Sequence, residues 1–417
     1  MDPAPIESPA LQLSTTRRRL VVGALMVGTF LASLEIMIVA PAVPVMVGEL
    51  GGAGLYPWIF SSYVIAQTGM TPVYGMLSDR WGRRPTYALS VVTFAIGSLI
   101  CALAPSMKLL VLGRLFQGLG AGGLVPLTHT IFGDLYTVRD RARMQGALSL
   151  VWATSALIGP AVGGVLTEAF SWRAAFWINL PPAAIAAGAI ALFLPALPPS
   201  ARATEDPSST GLWAGTRVLL GLPGPRNIAV SSIALGAVLI GFVGFLPAWI
   251  QAIEGGTPTD AGLAIIPLSL AWTAASIISG RLVPRLGFRT LVRIGTVITA
   301  LGCGIAAVSP SARAGLVLVG LGMGTTLPSF NVAVQEGAPD HLRGQASSLS
   351  LLARSFGRAV GVVAFGWVAG IPAGAEDFAA VPGLEAGLGR VFVAIAGCAA
   401  VAMILVWSRF PRVLRPR

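Results

Sequence analysis

Lysine is nearly missing: Lys108, in the stretch APSMKLL, is the only one among 28 basic residues in a chain of 417. No GxxxxGK loop can therefore be built, which excludes phosphate-loop ATP hydrolysis and leaves an ion gradient as the energy source for any work done. Cysteine is just as scarce. Cys101, Cys303 and Cys398 each fall inside an apolar run, so they provide neither a disulfide framework nor a metal-ligand cluster and read as small core residues. No nucleophile constellation stands out, so an enzyme is not expected, and no cofactor is implied. Charge is also low, at 11% of residues, and although the formal balance is +11, the positives are not gathered with aromatics into a nucleic-acid face.

The chain does have apolar residues, at 55%, together with 51 glycines, which is too apolar for a water-exposed surface and suits helices packed in lipid through small side chains. The apolar runs are about 20 residues long rather than ten-residue alternating strands, so helices and not a barrel cross the bilayer. Arg17, Arg18 and Arg19 precede an apolar stretch as in a signal peptide. That stretch outruns a signal core and carries Glu35, so it reads as the first span. Six spans are expected near Leu20–Val43, Trp58–Leu77, Pro85–Ala104, Leu109–Phe132, Met144–Leu166 and Ala174–Leu194. Six more follow near Ile228–Gln251, Ala261–Leu282, Thr290–Val308, Leu316–Gln335, Gly344–Val368 and Leu388–Trp407. The expectation is an all-α polytopic membrane protein with a six-helix bundle over 1–196, a cytoplasmic linker over 197–226 and a second six-helix bundle over 227–417. Within the linker, polar ATEDPSS and turn-forming LPGPRN flank GLWAGTRVLLG, which is suited to lying on the membrane surface.

Arginine placement fixes the orientation. With the N-terminus in the cytoplasm, Arg17–Arg19, Arg80, Arg83, Arg84, Arg139, Arg141, Arg143, Arg202, Arg217, Arg226, Arg281, Arg285, Arg289, Arg293, Arg343 and the tail arginines share one side. The other side keeps Lys108, Arg173, Arg313 and Arg390. This asymmetry follows the positive-inside rule, puts both termini in the cytoplasm and demands an even number of spans, which twelve satisfies. Arginine in place of lysine fits a GC-rich bacterial genome, hence a bacterial inner (plasma) membrane. An internal repeat supports the division: GMLSDRWGRR from Gly75 to Arg84 is echoed by GRLVPRLGFR from Gly280 to Arg289, with Gly, Leu, Arg, Gly and Arg in register.

GMLSDRWGRR is also the most specific signature of a resemblance to the major facilitator superfamily. GRLFQGLGAGG from Gly113, LIGPAVGG from Leu157, SWRAAFWINLPP from Ser171 to Pro182, FLPAWIQ, AGLAIIPLSL and the GxASxLxxxxRxxG pattern from Gly344 resemble, more narrowly, the QacA/EmrB-type drug:proton antiporters. The resemblance covers nearly the whole chain. It implies a major facilitator fold, two six-helix bundles around a central cavity, and proton-coupled export of small organic molecules such as drugs or antibiotics by a monomer. Two departures stand out. That family has fourteen helices, for which 197–226 is too short and polar, and Glu35 stands where the first-helix pattern has Asp.

Of seventeen acidic residues, Glu35 is the one well inside a span, where a charge costs roughly 2.5–3.5 kcal/mol. Dry surroundings favour the neutral acid and a nearby cation favours the ion, so a carboxyl in a pocket alternately wet and dry exchanges protons. Glu35 is the candidate proton carrier, the alternative being a structural ion pair. The resemblance links Arg114, in GRLFQG, to the same task as the partner of Glu35, with backbone carbonyls as alternative partners. It also makes Gly75, Asp79, Arg80, Gly82, Arg83 and Arg84 a cytoplasmic gate. There Asp79 would meet the start of the eleventh span and an arginine would reach Asp134, or the group would merely enforce topology. Gly159, Pro160, Gly163 and Gly164 in the fifth span form the antiport element; alone, Gly-Pro in a membrane helix is weak evidence.

Arg354 and Arg358 lie four apart on one face of the eleventh span, facing protein or a wet cavity, or else snorkelling to the cytoplasm. Two cations against one intramembrane acid argue for neutral, zwitterionic or anionic substrates over dicationic dyes. Trp152 and Trp272, deep in their spans, line the cavity or pack the core. His129 reads as a packing residue outside the mechanism, with a proton relay as its alternative. Three functions stay open: exporter, proton-linked importer or facilitator of a small metabolite, and transporter-like receptor.

Overall fold

The computed structural model describes residues 14–136, 138–195, 212–309, 311, 313–339, 342–372, 374–378 and 381–409. Among these the secondary structure is helical throughout. The first six spans are α1 (Thr15–Leu50, with a 3-10 turn at Ala40–Ala42), α2 (Tyr56–Trp81), α3 (Arg83–Ala102), α4 (Met107–Leu135), α5 (Val138–Ala169) and α6 (Ala174–Phe193). A short helix, α7 (Leu212–Gly221), precedes α8 (Pro223–Ala252), α9 (Pro258–Val308), α10 (Leu316–Glu336), α11 (Arg343–Val368) and α12 (Leu384–Arg409).

Ten of these helices are long and apolar enough to cross a bilayer. One of them, α9, has 51 residues and bends at Gly287, whose φ is +74°, so it supplies two arms and two spans. Helix α2 is long enough at 26 residues but is diluted by Ser61, Ser62, Gln67, Thr68 and Thr71, and it packs against α4 of its own half and α11 of the other. With α2 and both arms of α9 the spans number twelve. Expected and observed spans agree to a few residues, except that α1 runs on to Leu50. Pro41 and Pro44, which lack an N–H, tighten the chain to 3-10 locally without ending it.

The internal repeat reappears in the backbone. Gly82 breaks α2 from α3 at φ +90°, and Gly287, at the same place in the second copy, bends α9 at φ +74°. A side chain at either position would be strained, so glycine is required. What differs is the charge: Asp79 and Arg83 of the first copy correspond to Pro284 and Phe288 of the second.

In the first half α1 packs on α5 and α6, and α4 on α2 and α3; in the second, α8 packs on α11 and α12, and α9 on α10 and α12. The halves meet along α5–α9 and α2–α11. Arg17 Nε donates to Phe193 O at 2.7 Å, joining the start of α1 to the end of α6, and Arg293 Nη2 to Trp407 O at 3.1 Å, joining the second arm of α9 to the end of α12. With an even number of spans both ends lie on one face, here the terminal face. On the opposite, distal face the halves are laced together. Gly54 N bonds Ala375 O (3.1 Å), Gly52 N bonds Glu376 Oε2 (3.2 Å), Gln251 Nε2 bonds Pro41 O (2.8 Å) and Thr259 N bonds Glu168 Oε2 (3.3 Å). Deeper, Tyr56 Oη donates to Gly244 O, and Ser61 Oγ to Ala359 O at 2.9 Å.

Candidate functional site

Five helices of the first half converge on Glu35, which is fully buried. Its Oε1 is ion-paired with Arg114 Nη1 from α4, and its Oε2 accepts from Asn179 Nδ2 of α6 at 2.6 Å. Arg114, also fully buried, donates Nε to Ile59 O of α2 at 3.0 Å and Nη1 to Gln117 Oε1 at 2.7 Å. Its guanidinium stacks over the Tyr63 ring of α2 at 4.5 Å. Ser98 of α3 accepts from Gln117 Nε2 at 3.3 Å and Asn179 Nδ2 at 3.2 Å.

Both alternatives considered for Arg114, acid partner and backbone carbonyl, are thus present together. That matters energetically. A buried ion pair holds only when its remaining lone pairs and protons are met, and here an amide, a carbonyl and an aromatic face meet most of them. Arg114 Nη2 remains without a partner.

Asn179 is a site residue that spacing alone does not single out. It reaches Glu35 because α6 breaks after Trp177, and Pro181 and Pro182 restart it from an N-cap at Asn179. Its signal was a polar residue just before two prolines inside SWRAAFWINLPP. Gln117 had a similar signal, an amide three residues after Arg114 and so on the same helical face.

On the terminal face, Arg83 bonds Asp79 Oδ1 at 2.7 Å, Asp134 Oδ2 at 3.1 Å and Ser78 Oγ at 3.0 Å, tying α2, α3 and α4 together. Asp79 is 47% exposed and its bond runs within its own half, to Arg83, rather than to the start of α11. Arg80 is exposed and Arg84 half-buried. Around Gly75 the space is open.

The α5 glycines divide between two neighbours. Gly159 and Gly163 back onto α1 at Met37 and Ile38, whereas Gly164 backs onto α9 at Pro258 and Thr259, and Gly262 of α9 backs onto Pro160. Because residues 159 and 163, and 160 and 164, are each one turn apart, α5 shows one small-residue stripe to its own half and an adjacent one to the other. Trp152 is 45% exposed, two turns from Gly159 on the same helical face, and Trp272 is partly buried against the core. His129 is exposed and lies about 22 Å along α4 from Arg114 at 1.5 Å per residue, so the structure does not bring it to Glu35. Among the described residues no group of acids, histidines and cysteines is arranged to hold a metal.

Known proteins match this geometry and sequence. Over 408 residues the chain is 28% identical to the multidrug transporter protein MdtP of Bacillus subtilis, covering 85% of this chain and 75% of that one. It is 27% identical to the efflux pump FUS6 of Gibberella moniliformis, covering 86% and 76%. Among solved structures, a bacterial homologue of the human lysosomal transporter Spinster in an inward-facing, unoccupied conformation superposes with a TM-score of 0.79 at 18% identity, covering 97% of this chain and all of that one. A D-xylose-proton symporter gives 0.77 at 15% identity, covering 96% and 99%. The family model of the Major Facilitator Superfamily matches residues 25–362, and with twelve spans in two six-helix bundles this multi-pass membrane transporter belongs to that superfamily.

Proposed function

We propose that this transporter exports small organic molecules from a bacterial cell in exchange for protons, with both termini in the cytoplasm and each half (residues 1–196 and 227–417) moving as a body about the 197–226 linker. The observation that carries it is the buried Glu35–Arg114 pair and what Arg114 touches next. Arg114 is bonded to Ile59 and stacked on Tyr63, both on α2. The same helix carries Tyr56 and Ser61, whose hydroxyls bond the second half. A proton on Glu35 removes the charge that holds Arg114, and the helix that feels the release is the one sealing the distal face. The coupling runs through contiguous contacts with two charge states, a physical route by which proton binding biases one arrangement over another.

On this reading the sealed distal face leaves access from the terminal, cytoplasmic side, with the Glu35–Arg114 pair ionised. Substrate enters there, the halves rock, the distal side opens, Glu35 takes a proton from outside and substrate leaves. Open space at Gly75 and the exposure of Asp79 fit a gate whose partner in the second half arrives only when the cytoplasmic side closes. Efflux relatives in a bacterium and a fungus support outward transport. A D-xylose-proton symporter among the fold neighbours keeps import as the second reading.

Everted membrane vesicles decide the direction. With a proton gradient imposed, they should accumulate a substrate picked from a resistance screen and release it when the gradient collapses. Uptake by right-side-out cells with no accumulation in everted vesicles would establish import instead. Asp79→Asn tests the gate: turnover should fall severalfold while substrate Kd stays within about twofold. The lost half-exposed ion pair is worth at most about 1 kcal/mol to stability. Equal losses in turnover and affinity would remove Asp79 from gating.

A further inference from the structure

Two arginines on α11 have no counter-charge among the described residues. Arg358 donates Nη2 to Ser355 Oγ at 2.9 Å, but its Nε is buried without a partner, and half-buried Arg354 one turn away makes no hydrogen bond or ion pair with any described residue. The intramembrane acid nearest in kind, Glu35, is already committed to Arg114 and Asn179.

Depth separates this from snorkelling. Measured from the first residue of α11, Arg354 sits about 16 Å and Arg358 about 22 Å along the axis at 1.5 Å per residue. The hydrocarbon layer is about 30 Å thick, so Arg358 lies past its middle, beyond the reach of a side chain bound for the terminal-side water. Backbone crowding holds it there: Gly236 of α8 backs onto Arg354 O and Arg358 N, and Gly357 onto Ile233.

Across from the pair stands α2, fixed at that level by the Ser61–Ala359 bond. Next to Ser61 are Ser62 and Tyr63, whose hydroxyl groups are buried with no partner. Tyr63 lies within electrostatic reach of Arg358 as well as of Glu35 and Arg114. The place where the halves meet therefore offers the Arg358 guanidinium, with Arg354 one turn away, beside the unpartnered Tyr63 hydroxyl, and no acidic partner among the described residues. In a low-dielectric interior such an arrangement calls for an anion from outside the chain.

We infer that the substrates of this transporter are organic anions, whose carboxylate or sulfonate is held by Arg354 and Arg358 of α11 with the Tyr63 hydroxyl donating from α2. The inference rests on the reading of the chain as a small-molecule transporter and adds the substrate class. Arginine is the residue that suits it, because its planar fork meets a carboxylate with two parallel hydrogen bonds. The site spans both halves, so occupancy is felt by α2 and through Tyr63 by Arg114, the partner of the proposed proton carrier.

Fluorescein and rhodamine 6G share a xanthene ring and carry opposite charge, so fluorescence anisotropy of each with the purified full-length protein reads the preference directly. Wild type should bind fluorescein at least tenfold more tightly than rhodamine 6G. R354Q and R358Q should each weaken fluorescein about tenfold, one charge-assisted hydrogen bond, while leaving rhodamine 6G unchanged or tighter. A second measurement needs no variant: 2-naphthoate should displace fluorescein from wild type at concentrations where neutral 2-naphthamide does not. Tighter binding of rhodamine 6G, absence of fluorescein binding, indifference to both substitutions, or equal displacement by the amide would each overturn the anion site. Everted vesicles that accumulate rhodamine 6G but not fluorescein would keep export and sink the site. Arginine-dependent fluorescein binding without accumulation in vesicles would keep the site and sink export.

Discussion

Replacing Glu35 by glutamine is expected to abolish proton-driven accumulation, by two orders of magnitude or more, while exchange of substrate down its own gradient continues. Glutamine retains an acceptor for Asn179 and is close in size to glutamate, so what disappears is the titratable charge. Arg114 then keeps Ile59 O, Gln117 and the Tyr63 ring as partners. The stability cost should stay near that of one hydrogen bond to a charged group, about 1.5–3 kcal/mol. Arg114→Ala is the contrasting case. It leaves the Glu35 carboxyl buried without its cation, at a cost of about 3–5 kcal/mol, and should lower both the yield and the melting temperature of the purified protein. Combining the two as E35Q/R114A should recover part of that stability and none of the coupling, a non-additivity that a double-mutant cycle measures. Proton-driven accumulation in the Glu35→Gln variant at the wild-type level and with the wild-type pH profile would end the proposal that Glu35 carries the proton.

The legibility of this chain follows from the solvent it is built for. Lipid forces long apolar helices, so the spans could be read within a few residues, and an acid in hydrocarbon is expensive enough that Glu35 stood out among seventeen. The repeat was legible because it needs a backbone conformation that glycine supplies, at Gly82 and again at Gly287. Partner choice was not legible. Asn179 reaches Glu35 only because a proline pair restarts α6 next to it, 144 residues along the chain. Tyr63 stacks on Arg114 because Gly118 lets α4 lie against the backbone of α2 at that level. Such contacts depend on helix rotation and approach, which hydropathy does not encode. The antiport element was legible as composition and not as function: its four residues could be picked out, but which neighbour each one meets required the packed helices.

That difference in neighbours gives the second large effect. A β-branched residue at Gly163 and one at Gly164 should behave in opposite ways despite being adjacent. At Gly163 the added carbon would run into the backbone of Ile38 on α1, a helix of the same half. In the proposed cycle each half moves as a body and α1 stays on α5, so Gly163→Val should cost stability in every state, about 1–3 kcal/mol from overpacking. At Gly164 the added carbon would lie 2.5 Å from Pro258 O and 2.7 Å from Thr259 Cα, across the junction between halves. In the proposed cycle that clash is relieved when the distal side opens. The same 1–3 kcal/mol then becomes a population shift of roughly 5- to 150-fold towards the outward-open form. A cysteine pair at Gly54 and Ala375, whose backbones are bonded at 3.1 Å across the distal seal, reports the difference. Gly164→Val should cut its cross-linking severalfold while the melting temperature holds. Gly163→Val should lower the melting temperature and leave cross-linking in the folded fraction intact. Identical behaviour of the two variants would mean that the α5–α9 junction does not move in the cycle, and rocking about it would have to be abandoned.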